Sequence, residues 1–262
     1  MRESDFTIGI IGGTRGVGKW FADFFAREGH AVLVSGSSDG PSLPELAATC
    51  RIVIVAVPVA STIEVIRAVG PLLTEEALLM DLTSLKAEPV KAMLASSRAE
   101  VIGCHPLFGP DAASLEGQNI VLCPARGGRW LGFLQRIFVK NGARITVTAP
   151  AEHDRMMAWV QGLTHLDTLL TGLTLRDSGV EPSELAAFST PVFRTREAIG
   201  RKVFGPRPGL YAAILAENPN MPALLELFEK NFLKVKEMIL RRDTAGIAAL
   251  LKDKGGRSIY KF

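Results

Sequence analysis

No apolar run in this sequence approaches the ~18 residues that a bilayer span needs, so no transmembrane helix is expected. Charge of one sign is equally scarce. Thirty Lys and Arg against 27 Asp and Glu leave a net charge of +3, and basic runs such as Arg241-Arg242 stop at two residues. A nucleic-acid footprint needs more than that, although small anions would find the surface agreeable. The three cysteines, Cys50, Cys104 and Cys123, lack metal-ligand spacing and are too few for a disulfide framework, which points to a reducing compartment. The opening, MRESDF, is charged and does not read as a signal peptide, so a cytoplasmic location is expected. Internal repeats and low-complexity tracts are also missing. What remains is a 262-residue chain that is 47% apolar and 22% charged, enough for one large globular domain or two modest ones.

Up to about residue 150, short apolar runs alternate with helical patterns. Strands are expected at Phe6–Ile11, Ala31–Ser35, Ile52–Val57, Ala77–Leu82, Val101–Cys104, Asn119–Leu122 and Arg144–Val147. Helix-length segments between them include Gly18–Arg27, Ser61–Val69, Pro89–Ser96 and Arg129–Lys140. Such alternation predicts an α/β fold with a parallel sheet over residues 1–150. Beyond Pro150 the period is helical throughout, over Ala151–Leu175, Ser183–Val203, Pro222–Arg241 and Thr244–Lys252, with breaks at Gly179, Gly205–Gly209 and Asn218–Asn220. An all-helical second domain, 151–262, follows. Its wealth of Leu, Met, Phe and Ala predicts a homodimer, with packing on the first domain as the alternative.

The first strand runs into Gly12-Gly13-Thr14-Arg15-Gly16-Val17-Gly18 and then a helix. Strand, glycine turn and helix N-terminus make an anion site, because free amide N–H groups and the helix dipole point at a phosphate. In this position the turn reads as a Rossmann-type dinucleotide site. An NAD site usually ends its second strand in a carboxylate that holds the ribose hydroxyl. Here the strand ends in Ser35-Gly36-Ser37-Ser38, which with Arg15 suits a 2′-phosphate. NADP is therefore the expected cofactor. NAD is the alternative, with Asp39 as its acid if the strand runs longer.

In Val101–Pro110, His105 would emerge at a strand's carboxyl end, the edge where open α/β sheets bind ligands. Pro106 holds it extended, and Gly109-Pro110 turns the chain away. An imidazole fixed there suits acid-base chemistry; a loop histidine satisfying backbone groups is the other reading.

GGTRGVGKWFA, DLTSLK (Asp81–Lys86), GCHPLFGP (Gly103–Pro110), EHDRMMAWVQGLTH (Glu152–His165) and STPVFRTREAIGR (Ser189–Arg201) occur in the order found in prephenate dehydrogenases. The chain resembles that family from Ile8 to about Asn218. The resemblance implies oxidation of prephenate, or of arogenate, with NAD or NADP and loss of CO2, giving 4-hydroxyphenylpyruvate or tyrosine. It implies that His105 takes the ring hydroxyl proton, and that Ser84 helps position that hydroxyl and the nicotinamide. Arg201 would grip a substrate carboxylate, with Arg194 as a second candidate. His165 would line the substrate pocket, within reach of Gln161. Val57 and Pro58, at the end of the third strand, complete the expected cofactor set. His153 reads as structural, with Glu152 and Asp154 marking a helix start. Arg15 stands where the family commonly has glycine. No metal cluster is expected.

Three other readings compete, one of them a cofactor-sensing regulator that binds NADP without catalysis. A short-chain dehydrogenase fits the glycine loop but needs Tyr-x-x-x-Lys. Tyr211 is followed four residues on by Leu215, and Tyr260 lies near the chain's end. A two-domain dehydrogenase of the β-hydroxyacid or imine-reducing type would share Val55–Pro58 and the helical half, but leaves HPLFGP unexplained.

Overall fold

A computed structural model of the chain describes residues 6–206 and 208–252. Arg207 of the expected Gly205–Gly209 break, Tyr260 and the last residues of the expected second domain lie outside that range. Seven strands form one sheet: β1 (Thr7–Ile11), β2 (Ala31–Ser35), β3 (Cys50–Val55), β4 (Leu78–Asp81), β5 (Glu100–Pro106), β6 (Asn119–Arg126) and β7 (Arg144–Val147). Their order is β2-β1-β3-β4-β5-β6-β7. Both faces are covered, which is why the strands read as continuous apolar runs. Ile52 and Ile54 turn to one face, against Phe21 and Phe25 of α1 (Gly16–Arg27) and Phe138 of α5 (Arg129–Lys140). Val53 and Val55 turn to the other, where Leu46 of α2 (Leu43–Thr49), Ile66 of α3 (Val59–Val69) and Met93 of α4 (Ala87–Ser96) pack.

The sheet departs from the all-parallel expectation at one place: β5 and β6 are antiparallel. Residues 107–118 return the chain without a crossover helix, and a return without a crossover can only pair antiparallel. Strand β5 consequently runs on through Pro106, with His105 opposite Val121. His105 is thus a strand residue near the carboxyl end of β5, not a loop residue beyond it. The short helix α2 was not expected. A reciprocal Ser42–Glu45 capping box with Pro in the first turn starts it.

The helical remainder opens with α6 (Pro150–Met157), one π-helical turn (Ala158–Gly162) and α7 (Leu163–Asp177). The expected single helix over 183–203 is two, α8 (Pro182–Ala187) and α9 (Pro191–Val203). Pro191 cannot donate to a preceding turn, and the Thr190 hydroxyl caps the new start by accepting from the Phe193 N–H at 3.2 Å. Likewise α10 (Pro208–Ala216) begins inside the expected break, with proline as its first residue. By backbone packing the chain divides at Pro219–Asn220. The second unit holds α11 (Met221–Leu240) and α12 (Thr244–Leu251).

Candidate active site

Parallel register aligns Ile11, Val55, Asp81 and Gly103 in one row across β1, β3, β4 and β5. Everything just beyond that row shares the carboxyl edge of the sheet: the glycine loop, Ala56–Pro58, Thr83–Ser84 and His105. The order reverses between β1 and β3, where doubly wound sheets place their ligands.

The glycine loop is built for close approach. Gly12 has φ +85°, and a Cβ there would lie 2.6 Å from the Ala56 oxygen and 3.0 Å from Val57 Cγ1. A Cβ on Gly18 would run into the Gly12 oxygen, so the helix can start this close only with glycine. Gly16 has φ +60° and open space within 4 Å of its Cβ position. Arg15, the N-cap of α1, makes no side-chain cap bond, and the first turn holds no acidic residue. The first amides of α1 therefore face an uncontested opening suited to an anion. Strand β2 stops at Ser35, whose carbonyl accepts from the Gly12 N–H at 2.7 Å. The Gly36 N–H then donates to the Asp39 carbonyl, closing a tight turn that leaves Ser37, Ser38 and Asp39 exposed. Gly36 abuts Thr14 (3.1 Å from its Cβ position to Thr14 Cγ2), which brings the two loops together. These residues fit a dinucleotide.

His105 is 3% exposed and lies at one end of a buried chain of polar groups. Its Nδ1 is 2.9 Å from His153 Nε2, and His153 Nδ1 is 2.8 Å from Asp154 Oδ1. The Asp154 carboxylate also accepts the Lys86 and Ala87 backbone N–H groups, at 2.8 and 2.9 Å, at the start of α4. An acceptor surrounded by donors sets every proton along the line. His153 Nδ1 carries its hydrogen toward Asp154, its Nε2 accepts, and His105 Nδ1–H donates to it. His105 Nε2 is left with a lone pair facing Gln161 Nε2, 3.5 Å away. Burial above all, then His153 and the Lys86 ammonium, holds the His105 imidazole well below its ordinary 6.5. At neutral pH it is an uncharged base with its free nitrogen directed at Gln161.

The reading of His153 as purely structural is therefore corrected: α6 lays it against His105, 48 residues away in sequence. Beneath the pair, Lys86 and Asp81 form an ion pair with no side-chain exposure, joined by Thr83, whose N–H and hydroxyl both donate to Asp81. Lys86 Nζ also donates to the Cys104 carbonyl at 2.9 Å. One residue thus anchors the strand bearing His105 and, through its backbone N–H, the carboxylate that orients His153. The sequence signal was there, a His-Asp step opening a helix and an Asp and Lys five apart, but neither pattern names its partner. Cys104 is buried, and its thiol is pushed far above the ordinary range by that burial.

Beside His105 Nε2 the Gln161 amide keeps an unsatisfied buried oxygen, Oε1, and four residues on along the same helical run His165 Nδ1 is buried without a partner as well. The π-turn re-aims both, since its extra residue per turn rotates Gln161 and everything after it. The His165 ring meets the Tyr211 edge with centroids 4.9 Å apart, and burial lowers its pKa. Ser84 sits in the bend after β4, half-buried, two residues before Lys86. Arg201 and Arg194 lie exposed on α9. Arg201 is ion-paired with Glu197 at 2.6 Å, and Arg194 donates to the Ser189 carbonyl. The structure thus brings His105 and Gln161 together, sets His165 against Tyr211, and holds both arginines in local bonds.

Two family models match in succession: "Prephenate dehydrogenase, nucleotide-binding domain" over residues 32–147 and "Prephenate dehydrogenase, dimerization domain" over 149–253. The first begins after the glycine loop, so that loop is identified by its own geometry. A "Probable arogenate/prephenate dehydrogenase" of Methanocaldococcus jannaschii is 35% identical over 97% of this chain and 61% of its own. The "T-protein" of Enterobacter agglomerans is 35% identical over 85% of this chain and 60% of its own. The chain therefore spans about three-fifths of the length of these relatives. In fold it is similar to the prephenate dehydrogenase of A. aeolicus crystallised with hydroxyphenyl propionate and NAD+, with TM-score 0.77 and 21% identity over 95% of both chains. With two adjoining models accounting for most of its residues and a shared architecture, the chain belongs to the prephenate dehydrogenase family.

Proposed function

We propose that the chain oxidises prephenate to 4-hydroxyphenylpyruvate, a step of tyrosine biosynthesis, using a nicotinamide dinucleotide. Residues 1–150 form its cofactor half, and residues 151–262 its substrate-binding and dimer-forming half. The observation that carries the reading is His105: a buried, neutral imidazole whose Nδ1 is committed to His153 and whose Nε2 faces the Gln161 amide, itself with an unsatisfied oxygen. The names of the curated relatives and the ligands of the A. aeolicus crystal agree with it.

Bound nicotinamide would supply the hydride acceptor. Gly12, Gly13, Thr14, Arg15, Gly16, Val17 and Gly18 would hold its diphosphate, with Val57 and Pro58 closing the opposite side. His105 Nε2 accepts the ring hydroxyl proton as hydride leaves the same carbon, so no alkoxide has to form in a buried site. Ser84 orients that hydroxyl, Gln161 and His165 contact the ring substituents, and Arg201, aided by Arg194, holds a carboxylate. A guanidinium released from Glu197 would present its fork to a dianion. Loss of CO2 then follows from aromatisation.

The finer cofactor choice is NADP. Strand β2 ends without a carboxylate, while Arg15, Ser37 and Ser38 are exposed where a 2′-phosphate would lie, with Ser35 at their root. Arg15→Ala should weaken NADP roughly tenfold relative to NAD, the loss of one charged hydrogen bond at an exposed site. A free-thiol chain of this kind suits the cytoplasm. A homodimer would cover apolar side chains left exposed on α9 (Val192, 72%) and, separately, on α11 (Phe232, 58%; Leu240, 74%).

The test is absorbance at 340 nm with NADP or NAD against prephenate or arogenate. Turnover with prephenate supports the reading, and turnover with arogenate alone would move the substrate to the amino compound. Silence with both, or a His105→Asn variant that turns over at the parental rate, would refute it. The expected loss in His105→Asn is roughly 10²–10⁴-fold in kcat, with cofactor affinity unchanged.

A further inference from the structure

We infer that His105 does not keep the proton it takes: the proton passes on to His153, which with Asp154 acts as the proton store of the site. The inference rests on the base role proposed for His105 and goes one step beyond it.

A cation on His105 would be badly placed. The residue is almost fully buried, the Lys86 ammonium acts against a positive charge there, and its two ring nitrogens face His153 and Gln161 rather than a carboxylate. Asp81, the acid beside Lys86, is engaged by Lys86 and Thr83. His153 is equally buried but stands 2.8 Å from Asp154 Oδ1, a carboxylate further held by two amides at the start of α4. Between the rings lies a single 2.9 Å bond whose hydrogen belongs to His105 in the resting state. Charge therefore gains by moving one ring away from the substrate.

The step balances. The substrate O–H breaks and an N–H forms at His105 Nε2; the His105 Nδ1–H breaks and an N–H forms at His153 Nε2. His105 ends neutral as the opposite tautomer, and His153 ends as a cation against Asp154. Hydride leaves separately to the nicotinamide dinucleotide. Reversal on product release, with the proton leaving through the pocket, restores the resting tautomers.

His153 acts through His105 and is a positioning residue in that sense, so the test must separate proton uptake from mere support. His153→Gln supplies an acceptor oxygen for His105 Nδ1–H but cannot take its proton. Expected is a kcat roughly tenfold to a hundredfold lower, with substrate KM and cofactor affinity near those of the parent protein. Single-turnover rates in H2O/D2O mixtures should curve for the parent, with two protons in flight, and become linear in the variant. A His153→Gln protein with parental kcat would overturn the relay and leave His105 as a lone base.

A second measurement needs no turnover. The chain has four histidines, so imidazole 15N resonances can be assigned by single substitutions. At neutral pH His105 should carry its hydrogen on Nδ1, and the first proton added to the pair on acidification should appear on His153. If it appears on His105 instead, the relay fails even though the dehydrogenase reading stands. If the 15N result holds while no cyclohexadiene is oxidised, the dehydrogenase reading fails alone.

Discussion

Removing one member of the buried Lys86–Asp81 pair should be the most damaging conservative change near the site. Lys86→Met keeps the aliphatic stem and its volume beside Gly103, whose Cβ position lies 2.9 Å from Lys86 Cδ, so little cavity is created. It deletes the ammonium that Asp81 and the Cys104 carbonyl share, and neither side chain has any exposure to water. Asp81 Oδ1 already lacks a partner, and Oδ2 keeps only Thr83. Stranding a charge in this way costs roughly 3–5 kcal/mol. At about 2–4 °C per kcal/mol for a chain of this length, the melting temperature should fall by roughly 10 °C. Differential scanning calorimetry of the parent, Lys86→Met and the Asp81→Asn/Lys86→Met double variant measures it. The double variant retains acceptors for Thr83 but strands no charge, so it should recover more than half of the loss. A fall in the single variant below about 2 °C would refute the reasoning. A double variant no better than the single would assign the damage to packing. Because the ammonium also depresses His105, the acid limb of kcat/KM in Lys86→Met should move to higher pH.

The remaining expectations concern the glycine loop and the buried imidazoles. Gly12→Ala meets the Ala56 oxygen at 2.6 Å on a backbone with φ +85°, so it should lose dinucleotide binding by tenfold or more, estimated from roughly 1–3 kcal/mol of strain. Unaltered binding by isothermal titration would show that the loop is not the cradle. Stability should fall in mild acid, because the folded protein keeps His105 neutral while the unfolded chain binds a proton as pH drops below 6.5. The contribution is complete above 6.5 and declines by roughly 1.4 kcal/mol per pH unit below it until the folded value is reached. Burial lowers His165 in the same direction. Urea midpoints at pH 7.5 and 5.5 should therefore differ less in His105→Asn than in the parent; an equal difference in both would count against a neutral His105.

Local residue spacing was sufficient to read seven strands with their approximate ends, the helices that cover them except α2, the glycine turn and the position of His105 near a carboxyl edge. Those features depend on a period of two or 3.6, on glycine at a positive φ, or on proline restricting its neighbour, all properties of a few adjacent residues. Tertiary structure alone decided the rest. The pattern of β6 itself does not state that it runs antiparallel, because direction depends on its pairing with β5 across the helix-free 107–118 return. Nothing near His153 in the sequence shows that it would lie against His105, and the π-turn alters the ideal helical spacing between it and Gln161. The Asp81–Lys86 pair, five residues apart, is settled by burial, and the clamp on Asp154 and the tautomer of His105 depend on contacts between segments 48 to 68 residues apart. A sequence specifies which side chains can donate, accept or ionise. Which of them are excluded from water together, and so how the proton on His105 is held, is decided only when the sheet edge and α6 close over one another.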